Sequence, residues 1–127
     1  MLLGVGTDII NIDRMKSLIH NPRDSFFQKT FTNAELEKGF QNASPEVFLA
    51  GRFAAKEAVF KCFSMDESLI RWNEIEVLPD QWGAPQVVLT GMMKKRFQEL
   101  KATEILVSIS FEKEYAIAFA VISRNSK

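Results

Sequence analysis

One segment, residues 45–63, constrains the fold more than any other part of this 127-residue chain. Ser44-Pro45 is a helix-start signal, a capping serine followed by proline at the first helical position. When the residues after it are spaced about 100° apart around a helix axis, apolar side chains cover most of the circumference: Phe48, Leu49, Phe53, Ala55, Val59, Phe60, Cys62 and Phe63. A helix that is apolar nearly all round is buried, so we predict one long buried helix.

Four charged residues interrupt this apolar helix: Arg52, Lys56, Glu57 and Lys61. Charges on a buried helix must be paired or must line a site. One interpretation is a structural ion pair between Glu57 and Lys61, which lie one turn apart, with the other basic side chains extending to water. The other is a binding site. Gly51 costs about 1 kcal/mol relative to alanine in a helix, and we expect a close packing neighbour to offset that cost.

The rest of the chain predicts an α+β fold. Periodicity and turn signals place strands at 2–8, 73–79, 86–90, 105–111 and 115–123 and helices at 11–20, 23–29, 33–41 and 91–101. Thr32 and Glu35 fit a capping box, after which Leu36 and Phe40 would face the core. This order of elements predicts an antiparallel sheet packed on helices, within a single domain of residues 1–127.

Composition and charge exclude several classes of function. The formal net charge of zero argues against nucleic acid as the main partner. No apolar run approaches the ~20 residues that a membrane helix needs. The single cysteine, Cys62, forms no internal disulfide and is interpreted as a core residue. With no signal peptide at the start of the chain, we expect a cytoplasmic protein.

Asp8 is the second candidate functional residue, because it ends the first apolar strand. It either caps the following helix or serves as a metal or catalytic carboxylate at the end of the sheet. Paired with Glu57, it would provide the oxygen ligands that Mg²⁺ prefers, with waters and substrate phosphates completing the coordination. The residue types alone leave both interpretations open.

Several longer motifs follow one another along the chain: Gly4-Val5-Gly6-Thr7-Asp8-Ile9-Ile10, Asp13-Arg14, Phe31-Thr32-Asn33-Ala34-Glu35-Leu36, Leu49-Ala50-Gly51-Arg52-Phe53-Ala54-Ala55-Lys56-Glu57-Ala58 with Lys61, Trp82-Gly83-Ala84-Pro85 and Val107-Ser108-Ile109-Ser110. On these residues the chain resembles the holo-[acyl-carrier-protein] synthases, the short bacterial type of 4′-phosphopantetheinyl transferase. The run from Leu49 to Ala58 is the most specific match. The resemblance covers almost the whole chain and implies the 4′-phosphopantetheinyl transferase fold.

The resemblance implies transfer of 4′-phosphopantetheine from coenzyme A to a serine of an apo-acyl carrier protein, which releases adenosine 3′,5′-bisphosphate and supports fatty acid biosynthesis. It implies Mg²⁺ on Asp8 and Glu57, and Asp8, Glu57 and Lys61 as catalytic residues. The base that takes the serine proton is either Glu57 or a metal-bound water. The implied coenzyme A contacts are Arg52, Phe53, Lys56, Lys61, Gly83, Pro85, Ser108 and Ser110.

Two partners are also implied by the resemblance. The acidic face of the acyl carrier protein would meet the basic residues of the first helical region, Arg14, Lys16 and Arg23. Copies of the chain would assemble into a homotrimer with active sites between subunits. Which carrier protein is served does not follow from the sequence.

The chain departs from the pattern it resembles at two positions. Phe111 stands where histidine is typical, and Ala84 where a basic residue is usual. Each change removes an expected contact to the coenzyme A phosphates. They support a second hypothesis, a catalytically weakened homologue that binds coenzyme A or a carrier protein, or an enzyme that serves a specialised carrier.

Overall fold

The computed structural model describes residues 1–126 and confirms the α+β class, with element bounds close to the predicted ones. The strands are β1 (Leu2–Asn11), β2 (Ile75–Pro79), β3 (Pro85–Leu89), β4 (Glu104–Glu112) and β5 (Tyr115–Ser123). The helices are α1 (Ile12–Leu18), α2 (Ser25–Thr30), α3 (Asn33–Phe40), α4 (Pro45–Cys62) and α5 (Gly91–Glu99), with 3₁₀ turns at Glu67–Leu69 and Trp72–Glu74. No helix within the described residues is both long and apolar enough to span a membrane.

Three strands form an antiparallel sheet in the order β1-β5-β4, and β2 pairs with β3 in a separate hairpin. One face of the larger sheet carries a run of small residues on β5, and all of these are fully buried: Ala116, Ala118 and Ala120. Because side chains alternate between faces, this flat face receives α4, the predicted long buried helix. The prediction of a helix buried at the centre of the fold is confirmed.

Two glycines on β1 allow the strand to cross α4 at backbone contact distance. A Cβ atom on Gly6 would lie 2.9 Å from the carbonyl carbon of Ala58 and closer still to its oxygen. A Cβ atom on Gly4 would meet the carbonyl group of Cys62 in the same way. The close neighbour expected at Gly51 is the ring of Phe111 on β4, whose Cζ lies 2.8 Å from the position of a Cβ atom. These contacts bring β1 and β4 directly against α4.

Two local predictions around α3 and α4 are corrected. The capping box of Thr32 and Glu35 is confirmed, but Phe40 is 40% exposed. Gly39 faces the core in its place, because the side chain of Leu49 packs directly on the Gly39 backbone. Pro45 begins α4 as predicted, whereas the Ser44 side chain makes no capping hydrogen bond.

The opposite face of the three-stranded sheet is exposed and rich in large apolar residues. Cross-strand neighbours lie on one face, and the rows here are Thr7–Phe119–Ser108 and Ile9–Ile117–Ser110. The exposed apolar side chains are Val5, Ile9, Leu106, Ile117 and Phe119. We call this surface the outer sheet face.

Candidate active site

Asp8 and Glu57 meet where β1 crosses α4. Asp8 lies on the helix-facing side of the sheet, in the cross-strand row with Ala118, and Glu57 is carried by α4. Burial, followed by the charge and hydrogen-bonding capacity of Asp8, raises the pKa of Glu57 to about 7, against smaller opposing effects of Lys61 and Arg14. The two carboxylates therefore form a closely spaced pair, which is not stable as two unneutralised charges.

Asp8 makes one side-chain ion pair and leaves one oxygen without a partner. Its Oδ1 lies 3.4 Å from Nζ of Lys61, which also donates to the carbonyl oxygen of Thr7 at 2.8 Å. Its Oδ2 is buried and accepts no hydrogen bond. Asp8 does not cap α1, because Asn11 accepts the hydrogen bond from the Asp13 backbone N–H in that role. A buried acceptor with no donor costs free energy, which a cation or a proton shared with Glu57 would offset.

The interpretation of Glu57 and Lys61 as a structural ion pair is not supported, since among the salt bridges of residues 1–126 Lys61 is joined to Asp8. The spacing of one helical turn was correct, but the backbone contact at Gly6 brings β1 alongside this turn of α4. The Thr7 carbonyl oxygen and the Asp8 carboxylate then lie within reach of the Lys61 ammonium group. A partner from another element therefore replaces the neighbour on the same helix.

These residues fit a divalent cation with hard oxygen ligands. The unpartnered Asp8 Oδ2 and the raised pKa of Glu57 both fit a site at which a cation would be stabilised. No group of three or more His, Cys, Asp or Glu side chains suited to a metal is found in the described part of the chain. Two carboxylates supplemented by waters and substrate phosphates are the ligand set typical of Mg²⁺ in phosphoryl-transfer sites.

A cleft of about 400 Å³ opens beside Glu57 and Lys61. The other residues that line this cleft, here called the donor cleft, are Phe60, Ser64, Met65, Glu67, Ile70 and Trp72. Sequence reasoning missed these six. Phe60 was detectable, because it follows Glu57 at helical spacing, whereas Ser64 lies beyond the end of α4. The segment from Met65 to Trp72 has no periodic pattern that would place it there.

Lys56 does not line this cleft. Its side chain is fully buried, and its Nζ lies 2.7 Å from Oε1 of Glu35, itself fully buried on α3. Burial lowers the pKa of Lys56 and raises that of Glu35, and each opposes the shift of the other through its charge. In the folded single chain the Lys56 side chain has no exposed surface, which does not favour its expected coenzyme A contact.

Arg52 and Phe53 also face inwards from α4. The Arg52 guanidinium group lies 4.2 Å from the ring centre of Phe48, and its buried Nε has no hydrogen-bond partner. Phe53 packs edge-on against the rings of Phe26, Phe31 and Trp72. Their coenzyme A contacts stay predictions.

The remaining candidate residues lie apart from the carboxylate pair. Gly83 and Pro85 belong to the turn between β2 and β3, where Gly83 has a φ of +87°. Ser108 and Ser110 are exposed on the outer sheet face, opposite to the face that carries Asp8. A single chain therefore brings together Asp8, Glu57 and Lys61 but not these four residues.

The basic residues predicted to meet a partner are accessible. Arg14, Lys16 and Arg23 are exposed, while Ile12 and Met15 on the other side of α1 are buried. Arg14 is near enough to Glu57 to lower its pKa. Arg14, at one end of this basic surface, therefore acts on Glu57 through its charge.

Comparison with known proteins yields a consistent result. The family model described as "4′-phosphopantetheinyl transferase superfamily" matches residues 4–120. The holo-[acyl-carrier-protein] synthase of Thermodesulfovibrio yellowstonii is 40% identical over 97% of this chain and 100% of its own. The crystal structure of the holo-[acyl-carrier-protein] synthase from Neisseria meningitidis covers 98% of this chain and 100% of its own, at a TM-score of 0.85 and 28% identity.

A second solved structure contains a ligand. It is described as an ACPS-CoA complex from Chronobacterium ammoniagenes, is 30% identical, and covers 96% of this chain and 97% of its own at a TM-score of 0.82. Its fold and that of the present chain agree over nearly their whole length. The similarity therefore extends to the elements that carry Asp8, Glu57 and Lys61.

Proposed function

Because this chain belongs to the 4′-phosphopantetheinyl transferase superfamily, we propose that it transfers 4′-phosphopantetheine from coenzyme A to a serine of an apo-acyl carrier protein. Asp8 and Glu57 hold Mg²⁺ in this proposal. The supporting observation is the buried, unpartnered Asp8 Oδ2 beside a Glu57 carboxyl whose pKa is raised to about 7, at the edge of the donor cleft. We further propose that residues 1–127 act as a single domain, in the cytoplasm, in support of fatty acid biosynthesis.

The transfer makes one phosphorus–oxygen bond and breaks another. The carrier serine oxygen bonds to the phosphorus that bears pantetheine, and adenosine 3′,5′-bisphosphate leaves with the electrons of the broken bond. Mg²⁺, when bound, neutralises phosphate charge that builds up on the leaving group. The serine proton passes to Glu57 or to a water held beside it, because Glu57 is the titratable carboxyl at this edge of the donor cleft.

Lys61 adds a fixed positive charge beside this pair. Its ammonium group is held by the Thr7 carbonyl oxygen at 2.8 Å and by Asp8 Oδ1 at 3.4 Å, and it also lines the donor cleft. The third N–H of the ammonium group stays available to a phosphate oxygen. The apolar walls of Phe60, Met65 and Ile70 suit the pantetheine arm.

The acceptor approaches along the exposed basic residues Arg14, Lys16 and Arg23. Opposite charges on two surfaces accelerate and orient their encounter. An acidic carrier protein that docks there presents its serine close to Glu57, because Arg14 belongs both to this surface and to the surroundings of Glu57.

The outer sheet face supports assembly into a homotrimer with active sites between subunits. Exposed apolar patches of this kind mark interaction surfaces, and Val5, Ile9, Leu106 and Phe119 are each at least half exposed here. Ser108 and Ser110 lie on this face, and Gly83 and Pro85 lie on the separate hairpin. In an assembly, these four residues complete the donor site of a neighbouring copy, while Arg52 and Phe53 stay predicted donor contacts within their own chain.

The transfer is tested by mass spectrometry of a carrier protein. Incubation with apo-acyl carrier protein, coenzyme A and Mg²⁺ is expected to add one phosphopantetheine to the carrier, and a carrier whose acceptor serine is replaced by alanine should gain nothing. The absence of any mass gain across fatty-acid, polyketide and cell-wall carriers would exclude the activity. Coenzyme A binding without turnover would favour the second hypothesis, a catalytically weakened homologue that binds coenzyme A or a carrier protein. The packing of Phe111 on Gly51 supports this hypothesis, because the ring fills space and cannot donate to a phosphate.

Magnesium binding is expected to tighten with pH and to release a proton. With a pKa of about 7, Glu57 is largely protonated at pH 6 in the metal-free protein, and the cation must displace this proton. The apparent Kd should fall about tenfold between pH 6 and pH 8. Since the folded pKa lies above the ordinary 4.5, the metal-free chain also loses stability as pH rises from 4.5 to about 7.

Calorimetry in two buffers of different ionisation enthalpy measures the Kd for Mg²⁺ and the number of protons released. The apparent binding enthalpy differs between the buffers in proportion to that number. A Kd that does not change with pH, together with equal enthalpies in both buffers, would show that Glu57 is not a ligand.

A further inference from the structure

The buried ion pair of Lys56 and Glu35 satisfies every donor of an ammonium group. Lys56 Nζ lies 2.7 Å from Glu35 Oε1, donates to the Trp72 carbonyl oxygen at 3.0 Å, and donates to the carbonyl oxygen of Ile75. An ammonium group has three N–H donors, so none is left over. The pair has no exposed side-chain surface on either residue.

Glu35 extends this network to two further backbone segments. Its Oε1 accepts from the Thr32 backbone N–H at 2.9 Å, and its Oε2 accepts from the Val77 backbone N–H at 2.7 Å. The two side chains therefore tie together α3, α4, the 3₁₀ turn at Trp72–Glu74 and the start of β2.

Stability is a weak explanation for such a pair. Removing two charges from water costs more than their attraction commonly returns, and apolar replacements of the same volume are often as stable or more so. The hydrogen bonds of Lys56 and Glu35 are directional, and they therefore fix the positions of α3, the 3₁₀ turn at Trp72–Glu74 and β2 relative to α4. The segment from Ser64 to Glu74 has short 3₁₀ turns as its only regular structure, so an anchor for its position matters most there.

The anchored segment forms one wall of the donor cleft. Trp72 accepts a hydrogen bond from Lys56 through its carbonyl oxygen, and Trp72 lines the same cleft as Glu57 and Lys61. Its ring packs edge-on against Phe53 and Phe60 of α4, with centres 5.6 Å and 5.8 Å apart. Consecutive residues of a helix point about 100° apart. Lys56 can therefore hydrogen-bond to the segment from Ser64 to Glu74 while Glu57 lines the cleft.

We propose that Lys56 and Glu35 are positioning residues, whose buried ion pair holds Trp72 at the distance from Glu57 and Lys61 that fits the donor. This inference rests on the proposed function, because it takes the cleft to bind coenzyme A. Neither residue touches the donor. They set the width of the cleft, and they therefore act on donor binding more than on the chemical step.

The double substitution Lys56→Met with Glu35→Gln removes both charges and retains similar side-chain volumes. We expect the KM for coenzyme A to rise about tenfold while kcat stays within about threefold, the pattern of lost binding common to ground and transition states. A second readout is acrylamide quenching of Trp72 fluorescence in a Trp82→Phe background, since Trp82 is 83% exposed and would dominate the signal. Quenching of Trp72 should increase in the double variant.

A matched control separates position from stability. Ile122→Ala removes a fully buried core residue on β5, and it should lower Tm without changing the KM for coenzyme A or the quenching of Trp72. An unchanged KM and unchanged quenching in the folded double variant would overturn the proposal. An equal rise of KM in Ile122→Ala would also overturn it, because the pair would then act through stability alone.

Two further outcomes remain informative. If the double variant does not fold, the single substitution Glu35→Gln, which retains a carbonyl acceptor, is measured by the same criteria. If the unsubstituted protein transfers nothing to any carrier, the proposed function fails, and Trp72 quenching then decides the positioning role by itself.

Discussion

Replacement of Glu57 by alanine is expected to reduce phosphopantetheinyl transfer by about 10³-fold, the scale on which a positioned acid–base group contributes. The substitution removes one of two cation ligands together with the proton acceptor or the carboxylate that holds it. Mg²⁺ binding should fall below detection by calorimetry, and carrier mass gain under single-turnover conditions measures the rate.

The same substitution should leave the fold intact, which distinguishes a functional carboxylate from a structural one. Burial and the neighbouring charge of Asp8 raise the pKa of Glu57, so the ionised carboxylate destabilises the metal-free protein at pH 8. After allowance for solvent screening of this half-buried group, we expect Glu57→Ala to change the metal-free stability by on the order of 1 kcal/mol or less, towards greater stability.

Glu46→Gln provides the matched control, because it removes a carboxylate from the other end of α4. Transfer by this variant should equal that of the unsubstituted protein. Transfer that persists in Glu57→Ala at the level of the Glu46→Gln control would contradict the assignment of the metal pair.

Replacement of Gly6 by alanine should cause the largest loss of stability. A Cβ atom there would overlap the carbonyl group of Ala58 and lie 3.0 Å from Cβ of Lys61. Because the obstacle is helix backbone, no side-chain rotation relieves the overlap, and β1 must move away from α4. Overpacking of this kind costs about 3 kcal/mol, which corresponds to a fall in Tm of about 10 °C for a domain of this size.

The effect should reach the site, because Asp8 lies two residues further along β1. Separation of β1 from α4 increases the distance between the Asp8 and Glu57 carboxylates, so Mg²⁺ binding should weaken in the fraction that remains folded. Thermal melting and calorimetry measure the two effects.

Gly83→Ala serves as the control for this prediction. Gly83 has open space around it and a φ of +87°, so alanine there meets backbone strain of about 1 kcal/mol and no overlap. If Gly6→Ala is no more destabilised than Gly83→Ala, the close backbone contact between β1 and α4 does not limit stability, and the prediction is wrong.

Local patterns account for most of what was predictable. The burial of α4, the capping box of α3 and the β4–β5 hairpin follow from periodicity and from residue types at the ends of elements. Asp8 and Glu57 were identified through the motifs that surround them. Each of these inferences depends on residues that are close in sequence, where helix and strand geometry fixes the relation between side chains.

Relations between elements were predicted less well. Phe40 was expected in the core, although Leu49 packs on Gly39 instead. Lys56 was expected to contact coenzyme A, although its partner, Glu35, lies on another helix and is fully buried with it. The spacing of α4 places Lys56 on the apolar face and Lys61 one turn from Glu57, but it does not identify the partner of either charge.

By itself, then, the sequence determined the α+β class, the long apolar helix and the pair of carboxylates on two different elements. The tertiary structure decided which charges pair, with Lys61 joined to Asp8 and Lys56 joined to Glu35, and it built the donor cleft from the irregular segment between Ser64 and Trp72. For Lys61 and Asp8 the physical reason is the backbone contact at Gly6, which brings β1 and α4 together across some fifty residues of chain. Periodicity describes the faces of a single element, whereas the partner of a buried charge depends on which faces meet.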